Sequence, residues 1–415
     1  MSKIRKNKML ENTSMLLIMN IAKMIFPLVT LPYLTRVLST DSYGVVAYVR
    51  SIMIYMQVFV DFGFGLSATK DIVRANNDPV KIGRITGNVL YGNLILSGIG
   101  TIILMPMAFF IPVLKGYAAF VFLSQVPVIL SCFFMEYLFR GLEKMHLLTI
   151  RFVVMKLIST ALTFVIVKND ADMMWIPVLD IIGYGIAAIL SMTQMRKLGI
   201  KLKSDGISHA WQSIKDSFDY FVSNMASTAF NVLNTLLIGI FATATDVAYW
   251  SVCLQLISAV QNIYTPISNG IYPEMVRKKD IGIIMKIVKV FTPIIVAGCI
   301  FTVFVAKYAL AIISGVEYTA AAPILRWLTP VLFFSFGTFM FGWPALGAIN
   351  KVKEITKTTT ISATFQIACL LFLAVFGKFE IIYIAVIRSM TEGIIAISRI
   401  YYCVKFKNEF SGLNE

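Results

Sequence analysis

Charged residues interrupt long apolar runs of this sequence, where ionisable groups are rare. From Lys23 to Asp71 the chain reads as two apolar helices joined by a polar turn, and Lys23, Arg50 and Asp61 lie inside these helices. An ionisable residue at the centre of a membrane helix costs at least about 2.5–3.5 kcal/mol, and it usually faces a bundle interior or a watery cavity. Together these charges predict a path for a polar or anionic cargo.

Other polar residues recur at helical spacing within apolar segments. Residues on one face of a helix are separated by multiples of about 100°, and by this measure Arg50, Gln57 and Asp61 share a face. Lys156 lies on one face with Ser159, and Arg388 and Glu392 are spaced as an i,i+4 ion pair. Polar stripes also run through the segments that contain Asn224, Asn231 and Gln255.

The elements that position these residues are long apolar helices. The chain has 415 residues, of which 58% are hydrophobic, and a mean hydropathy of +0.79. About 20 apolar residues cross a bilayer as a helix. The sequence therefore predicts an all-α integral membrane protein with about twelve transmembrane helices. The predicted spans are 14–34, 45–66, 86–111, 117–139, 148–167, 175–194, 217–241, 248–272, 288–313, 324–347, 359–377 and 380–403.

The orientation follows from the lysines and arginines of the connections, which concentrate on the cytoplasmic side. One side, which includes both termini, carries 26 of them, and the opposite side carries five. We therefore expect both termini in the cytoplasm. The same bias explains most of the net charge of +15, so nucleic acid is not an expected partner.

The chain divides into two similar halves. A predicted amphipathic elbow from Ser208 to Phe221 separates six spans from the next six, which gives lobes at 1–200 and 217–415 with a linker at 201–216. The sequence STDSYGVVAY after span one is similar to TATDVAYWSV after span seven. Span one contains Pro27 and Pro32 and is predicted to be bent or broken. Two related lobes around a central cavity are a common transporter plan.

Motifs for catalysis or metal binding are weak. Asp170-Ala171-Asp172 matches a metal–nucleotide motif of glycosyltransferases, but it lies in a short turn on the side opposite the cytoplasm. The five cysteines fall in apolar runs, and the two histidines lie in polar connections. We therefore predict no catalytic residue, no metal site and no cofactor, and we leave open a coupling to a proton or sodium gradient.

One segment resembles a known family. The runs PLVTLPYLTR at Pro27 to Arg36 and DFGFGLSAT at Asp61 to Thr69, with Tyr43-Gly44 between them, are similar to the opening of the Wzx-type polysaccharide flippases. This resemblance implies the exporter-superfamily fold and alternating access. It also implies transport of undecaprenyl-diphosphate-linked oligosaccharides to the outer leaflet for O-antigen or capsule synthesis. A polysaccharide polymerase and a chain-length regulator are implied as partners.

The resemblance implies a cationic cavity for the diphosphate. Its candidate residues are Lys23, Arg50, Lys156, Arg326 and Arg388. The candidates for the sugar hydroxyls and the polar lining are Gln57, Asp61, Asn224, Asn231, Gln255 and Glu392. Two other functions remain open: a cation-coupled multidrug exporter of the same superfamily, which Asp61 favours, and an integral-membrane polymerase, for which the sequence offers no large external loop.

Overall fold

The protein is built from long helices joined by short turns. The computed structural model describes residues 2–410, without the side chains of residues 2–10, 227 and 229–231. By its internal contacts the chain divides into two compact units, Met1–Ile240 and Phe241–Glu415. The lobe boundaries at 200 and 217 stay a prediction.

The helices of the first unit alternate between long membrane-sized segments and shorter pieces. They are α1 (Ser2–Val37), α2 (Thr40–Asp61), α3 (Phe64–Arg74), α4 (Pro79–Phe110), α5 (Ala118–Ser131), α6 (Glu136–Gly141), α7 (Met145–Ile166), α8 (Trp175–Lys197) and α9 (Ile207–Phe241). The second unit contains α10 (Ala244–Lys278), α11 (Ile281–Ser314), α12 (Ala322–Met340), a π-helical segment (Phe341–Gly347), α13 (Val352–Val375) and α14 (Ile381–Lys405).

The membrane-spanning character of the chain is confirmed by ten helical segments. Within the residues that the structure describes, these ten are long and apolar enough to cross a bilayer. The other two predicted spans, 217–241 and 248–272, lie within α9 and α10, each of which has 35 residues. Both helices carry the polar stripes noted above, which lower their hydropathy. The predicted elbow and span seven form one continuous helix, α9.

Side-chain caps start the helices that carry the second and third spans of each predicted half. The Ser39 hydroxyl accepts a hydrogen bond from the Ser42 amide at the start of α2, and Thr243 forms a capping box with Asp246 at the start of α10. Asp78 and Asp280 cap α4 and α11 in the same way. A side-chain oxygen at this position satisfies an otherwise unpaired helix amide. The sequence similarity between the two halves therefore coincides with equivalent helix starts.

Three predicted spans are not continuous helices, contrary to the prediction. Span ten, 324–347, is interrupted at Gly342, whose ψ angle of −110° is not helical. Span two is divided by Phe62 and Gly63, whose φ angles of 39° and 78° are left-handed. Span four is divided by a short 3-10 turn and by Met135, with a φ of 49°. The predicted break of span one is absent, because α1 continues through Pro27 and Pro32. Membrane helices tolerate proline because neighbouring groups can satisfy the freed carbonyls.

The connection after α8 lies directly on the backbone of α4. The Lys203 amide donates to the Gly83 carbonyl at 3.2 Å. A Cβ atom added at Gly83 would lie 2.2 Å from the Lys201 carbonyl oxygen, and one at Gly87 would lie 2.4 Å from the Lys203 carbonyl oxygen. Small residues four apart let two backbones approach this closely. These glycines therefore hold the start of the 201–206 connection in place ahead of α9.

Candidate functional site

The break between α2 and α3 carries the first polar cluster. Asp61 is the last residue of α2, and its carboxylate accepts a hydrogen bond of 3.0 Å from the Gln57 amide. Gly63 adopts its left-handed conformation where a Cβ atom would lie 2.5 Å from the Tyr220 Cβ atom. Only glycine fits both the backbone angle and this contact. The sequence Asp61-Phe62-Gly63 therefore ends α2, and the Asp61 carboxylate is on the last residue of the helix.

The break between α5 and α6 lies beside the first one. The Ser131 hydroxyl, on the last residue of α5, is 2.9 Å from the Gln57 amide nitrogen and donates to the Val128 carbonyl. α6 begins with Glu136 directly after the left-handed Met135. Broken helices expose backbone dipoles and often form polar sites in transporters. The structure thus brings Gln57 and Asp61 together with Ser131.

An ion-pair network surrounds this pair of breaks. Glu136 lies between two arginines, 2.8 Å from Arg151 Nη2 and 3.5 Å from Arg140 Nη2. Arg151 is only 5% exposed, and its Nη1 also donates to the Phe134 carbonyl at 2.6 Å and to Ser191 Oγ at 3.2 Å. Asp61 interacts electrostatically with these three charged groups. Arg151 therefore holds the α5–α6 turn against α7 and α8.

Lys156 is paired with a carboxylate on the neighbouring helix. Its Nζ atom lies 3.8 Å from Asp180 Oδ1 and 5.6 Å from the centre of the Tyr184 ring. The Ser159 hydroxyl donates to the same Asp180 oxygen at 2.6 Å. Lys156 and Ser159 thus lie on the same face of α7, as their spacing in the sequence predicts. Both members of the ion pair remain partly exposed. The pair is accessible to a charged ligand that could replace either partner.

Lys23 and Arg50 differ from Lys156 and Arg151 in having no carboxylate partner among the described side chains. Lys23 on α1 and Arg50 on α2 are both exposed. The Lys23 ammonium lies 5.5 Å from the centre of the Phe152 ring. Among the described side chains, no aspartate or glutamate forms an ion pair with Lys23 or Arg50. These two residues therefore offer positive charge that the unit itself does not neutralise.

The second unit buries one of its predicted charge pairs. Arg388 Nη1 lies 2.8 Å from Glu392 Oε2, which confirms the predicted i,i+4 pair, and the two residues are 7% and 4% exposed. Arg399, two turns beyond Glu392 on α14, donates to the Thr338 carbonyl at 2.6 Å. The Arg399 bond ties α14 to α12 just before the π-helical segment. In this structure the carboxylate of Glu392 is an internal partner for Arg388.

Arg326 lies near the start of α12. Its side chain is exposed, and its Nε atom donates to the Val303 carbonyl at 3.0 Å. The residues around it on α11 and α12 are mostly apolar and enclose a groove of about 360 Å³. The structure therefore places this predicted cavity residue at the end of an apolar groove.

The amide side chains on the polar stripes are partly accessible. Asn224 on α9 is exposed and Gln255 on α10 is half-buried. The side chain of Asn231 lies outside the described residues. Further along α10, Ser258, Asn262 and Asn269 are exposed as well. This polar face is what distinguishes α10 from the lipid-compatible helices.

Comparison with known proteins identifies the family. The profile of the family described as "Polysaccharide biosynthesis protein" matches residues 9–279. The chain belongs to this polysaccharide biosynthesis family. A protein of Escherichia coli (strain K12) named "Putative O-antigen transporter" is 26% identical over 342 residues, which cover 80% of this chain and 82% of that protein. The resemblance to Wzx-type flippases is thereby confirmed.

Solved structures with a similar fold are transporters. A MATE-family multidrug resistance transporter of the MOP superfamily, in an inward-facing conformation, superposes with a TM-score of 0.62 at 14% identity over 94% of both chains. The lipid II flippase MurJ in an inward closed conformation gives 0.61 at 13% identity, over 96% of this chain and 89% of that one. At these identities the comparison shows the fold alone, and it confirms the exporter-superfamily architecture.

For a polysaccharide biosynthesis protein, the Asp170-Ala171-Asp172 sequence could suggest a sugar-nucleotide site, but its carboxylates are structural. Asp170 accepts from the Ser39 amide at 2.7 Å, and Asp172 accepts from the amides of Lys168 and Asn169. The first bond ties the turn before α8 to the start of α2. Among the described residues, no three acidic, histidine or cysteine side chains are grouped as metal ligands.

Sequence reasoning missed the network of Glu136, Arg140 and Arg151. The predicted spans place Glu136 in 117–139 and Arg151 in 148–167 without relating the two, whereas Arg151 is buried inside α7 and paired with Glu136. The available signal was Glu136, because a carboxylate within an otherwise apolar run requires a cationic partner. The partner is 15 residues away across a turn, at a spacing that helical periodicity does not reveal.

Proposed function

We propose that this protein is a flippase for undecaprenyl-diphosphate-linked oligosaccharide repeat units, which it moves from the cytoplasmic to the outer leaflet by alternating access. The observation that carries the proposal is that Lys23 and Arg50 are exposed and form no ion pair with any described side chain, in a member of a polysaccharide biosynthesis family. A diphosphate is the group that such cations bind best, through charge-assisted hydrogen bonds. No covalent step is required.

The remaining candidates fit two parts of this substrate. Gln57, Asn224, Asn231 and Gln255 suit sugar hydroxyls, because amide groups both donate and accept hydrogen bonds. Lys156, with Asp180 as its partner in this structure, can exchange that carboxylate for a phosphate. Arg388 is proposed to exchange its partner Glu392 for a phosphate in the same way when the second unit changes conformation, and Glu392 then becomes part of the polar lining. Asp61 is proposed to contact a sugar hydroxyl from the end of α2.

The cellular context follows from the same proposal. We place the protein in the bacterial inner membrane with both termini in the cytoplasm, because the lysines and arginines concentrate on that side. The polysaccharide polymerase and chain-length regulator that use the translocated unit are proposed partners. A proton or sodium gradient is the proposed energy source if transport proves to be driven.

Complementation of a flippase-deficient bacterium tests the proposal. The full chain is expected to restore surface polysaccharide, whereas a polymerase-deficient strain expressing it should remain defective. Drug susceptibility of an exporter-deficient strain provides the alternative readout. If the chain lowers drug susceptibility and restores no polysaccharide in flippase-deficient strains with several repeat-unit structures, the multidrug alternative replaces the flippase.

A further inference from the structure

A narrow apolar groove runs between α11 and α12 of the second unit. Its volume is about 360 Å³, and its walls include Val296, Ile300, Phe304, Pro330 and Phe333. In the most apolar part of α11 no residue is buried, so this helix presents its surface to the hydrocarbon of a bilayer. A lipid chain can therefore enter the groove from the side.

The groove has a direction along the membrane normal. Arg326 bonds to the Val303 carbonyl and Cys299 Sγ bonds to the Thr329 carbonyl, so α11 and α12 are antiparallel at this point. Seven residues separate Arg326 from Phe333, which corresponds to about 10 Å along a helix. The cation thus lies at one end of the groove, and the apolar walls continue from it towards the bilayer centre.

Arg326 can hold an anionic headgroup at the mouth of this groove. Its Nε atom is occupied by Val303, and none of the described residues forms an ion pair with its guanidinium. A guanidinium can bind two oxygens of one phosphate in the paired geometry typical of arginine. In the orientation inferred from the charged connections, this end of α12 is at the outer side of the membrane.

We infer that the groove binds the polyprenyl chain of the translocated substrate in the outer leaflet, with the phosphate on Arg326; this inference rests on the proposed flippase function. The groove combines one cation at its end with a single run of apolar walls, which matches a lipid that has one phosphate-bearing head and one chain. A bilayer phospholipid has two acyl chains. The second unit would thereby retain the lipid end of the substrate as the sugar leaves.

Photocrosslinking tests this inference on the full chain in zwitterionic lipid nanodiscs. The probe is a polyprenyl diphosphate that carries a photoreactive group in its first isoprene units. Adducts are expected on peptides containing 296–304 and 326–334. Arg326→Ala should reduce them about tenfold, since a charge-assisted bond to phosphate is lost. Arg326→Lys should retain part of the labelling, which separates loss of charge from misfolding.

Matched variants on the same helix complete the experiment. Lys307→Ala removes an exposed cation of α11 that lies outside the groove, and it should leave labelling unchanged. Ile300→Trp should fill the groove and reduce labelling, whereas Ile294→Trp, at an equally exposed position outside it, should not. Equal competition by phosphatidylglycerol and undecaprenyl phosphate would overturn the inference, because the groove would then be a general lipid site.

The outcome is separable from the proposed function. If the wild-type chain restores surface polysaccharide but adducts lie outside the groove, the groove inference fails and the flippase proposal stands. If the wild type restores no polysaccharide, the flippase proposal fails whatever the labelling pattern.

Discussion

At the scale of single residues, the charges of the first unit are of two kinds. Arg151 is buried and bonded to a carboxylate, a carbonyl and a hydroxyl, so groups of the protein itself compensate its charge. Lys23 and Arg50 are exposed and have no carboxylate partner among the described side chains. Buried charges of the first kind organise the structure, whereas charges of the second kind remain available for an anionic ligand.

Arg151→Ala is expected to destabilise the protein strongly. The substitution leaves the exposed Glu136 carboxylate without its closest partner and frees the buried Phe134 carbonyl, and a buried acceptor without its donor typically costs about 1–3 kcal/mol. Arg140→Ala is the matched control, because Arg140 contacts the other oxygen of the same carboxylate but is 38% exposed. Thermal unfolding of the purified variants should show a much lower melting temperature for Arg151→Ala. Equal melting temperatures would contradict the structural role of Arg151.

At the scale of helices, the sequence predicted lengths better than interruptions. Apolar runs of about 20 residues were sufficient to locate the spans, because the bilayer sets helix length. The break at Asp61–Gly63 had a partial signal in the glycines of the D-F-G-F-G sequence. The break at Met135 had none, because a methionine in the left-handed region is chosen by tertiary packing rather than by local preference.

The close packing of the 201–206 connection on α4 gives a test at this scale. Gly87→Val places a branched side chain where the Lys203 carbonyl lies, so the connection must detach. Trypsin should then cleave after Lys201 and Lys203 faster than in the wild type. Gly98→Val is the control, since Gly98 lies on the same helix with nothing within 4 Å of the added Cβ atom. Similar cleavage rates in both variants would contradict the packing described above.

At the scale of the whole molecule, the fold class and the family could be predicted from the sequence, but only part of the site could. Gln57 and Asp61 share a helix face and are hydrogen-bonded, and the same periodicity predicted the Arg388–Glu392 pair. Periodicity relates residues of one helix, so it could not place Asp180 beside Lys156 or Arg151 beside Glu136. Nor could it place Arg326 at an apolar groove, which depends on how α11 packs against α12.

The most direct test of the central claim is translocation in proteoliposomes by the purified protein. Lipid-linked oligosaccharide that starts in one leaflet is measured by its accessibility to an external glycosidase. We expect the wild type to move it, Arg50→Ala to slow translocation about tenfold and Arg50→Lys to retain most of the rate, because a bond to phosphate requires the charge. Unchanged translocation by the combined Lys23→Ala and Arg50→Ala variant would contradict a phosphate-binding role for these two exposed cations.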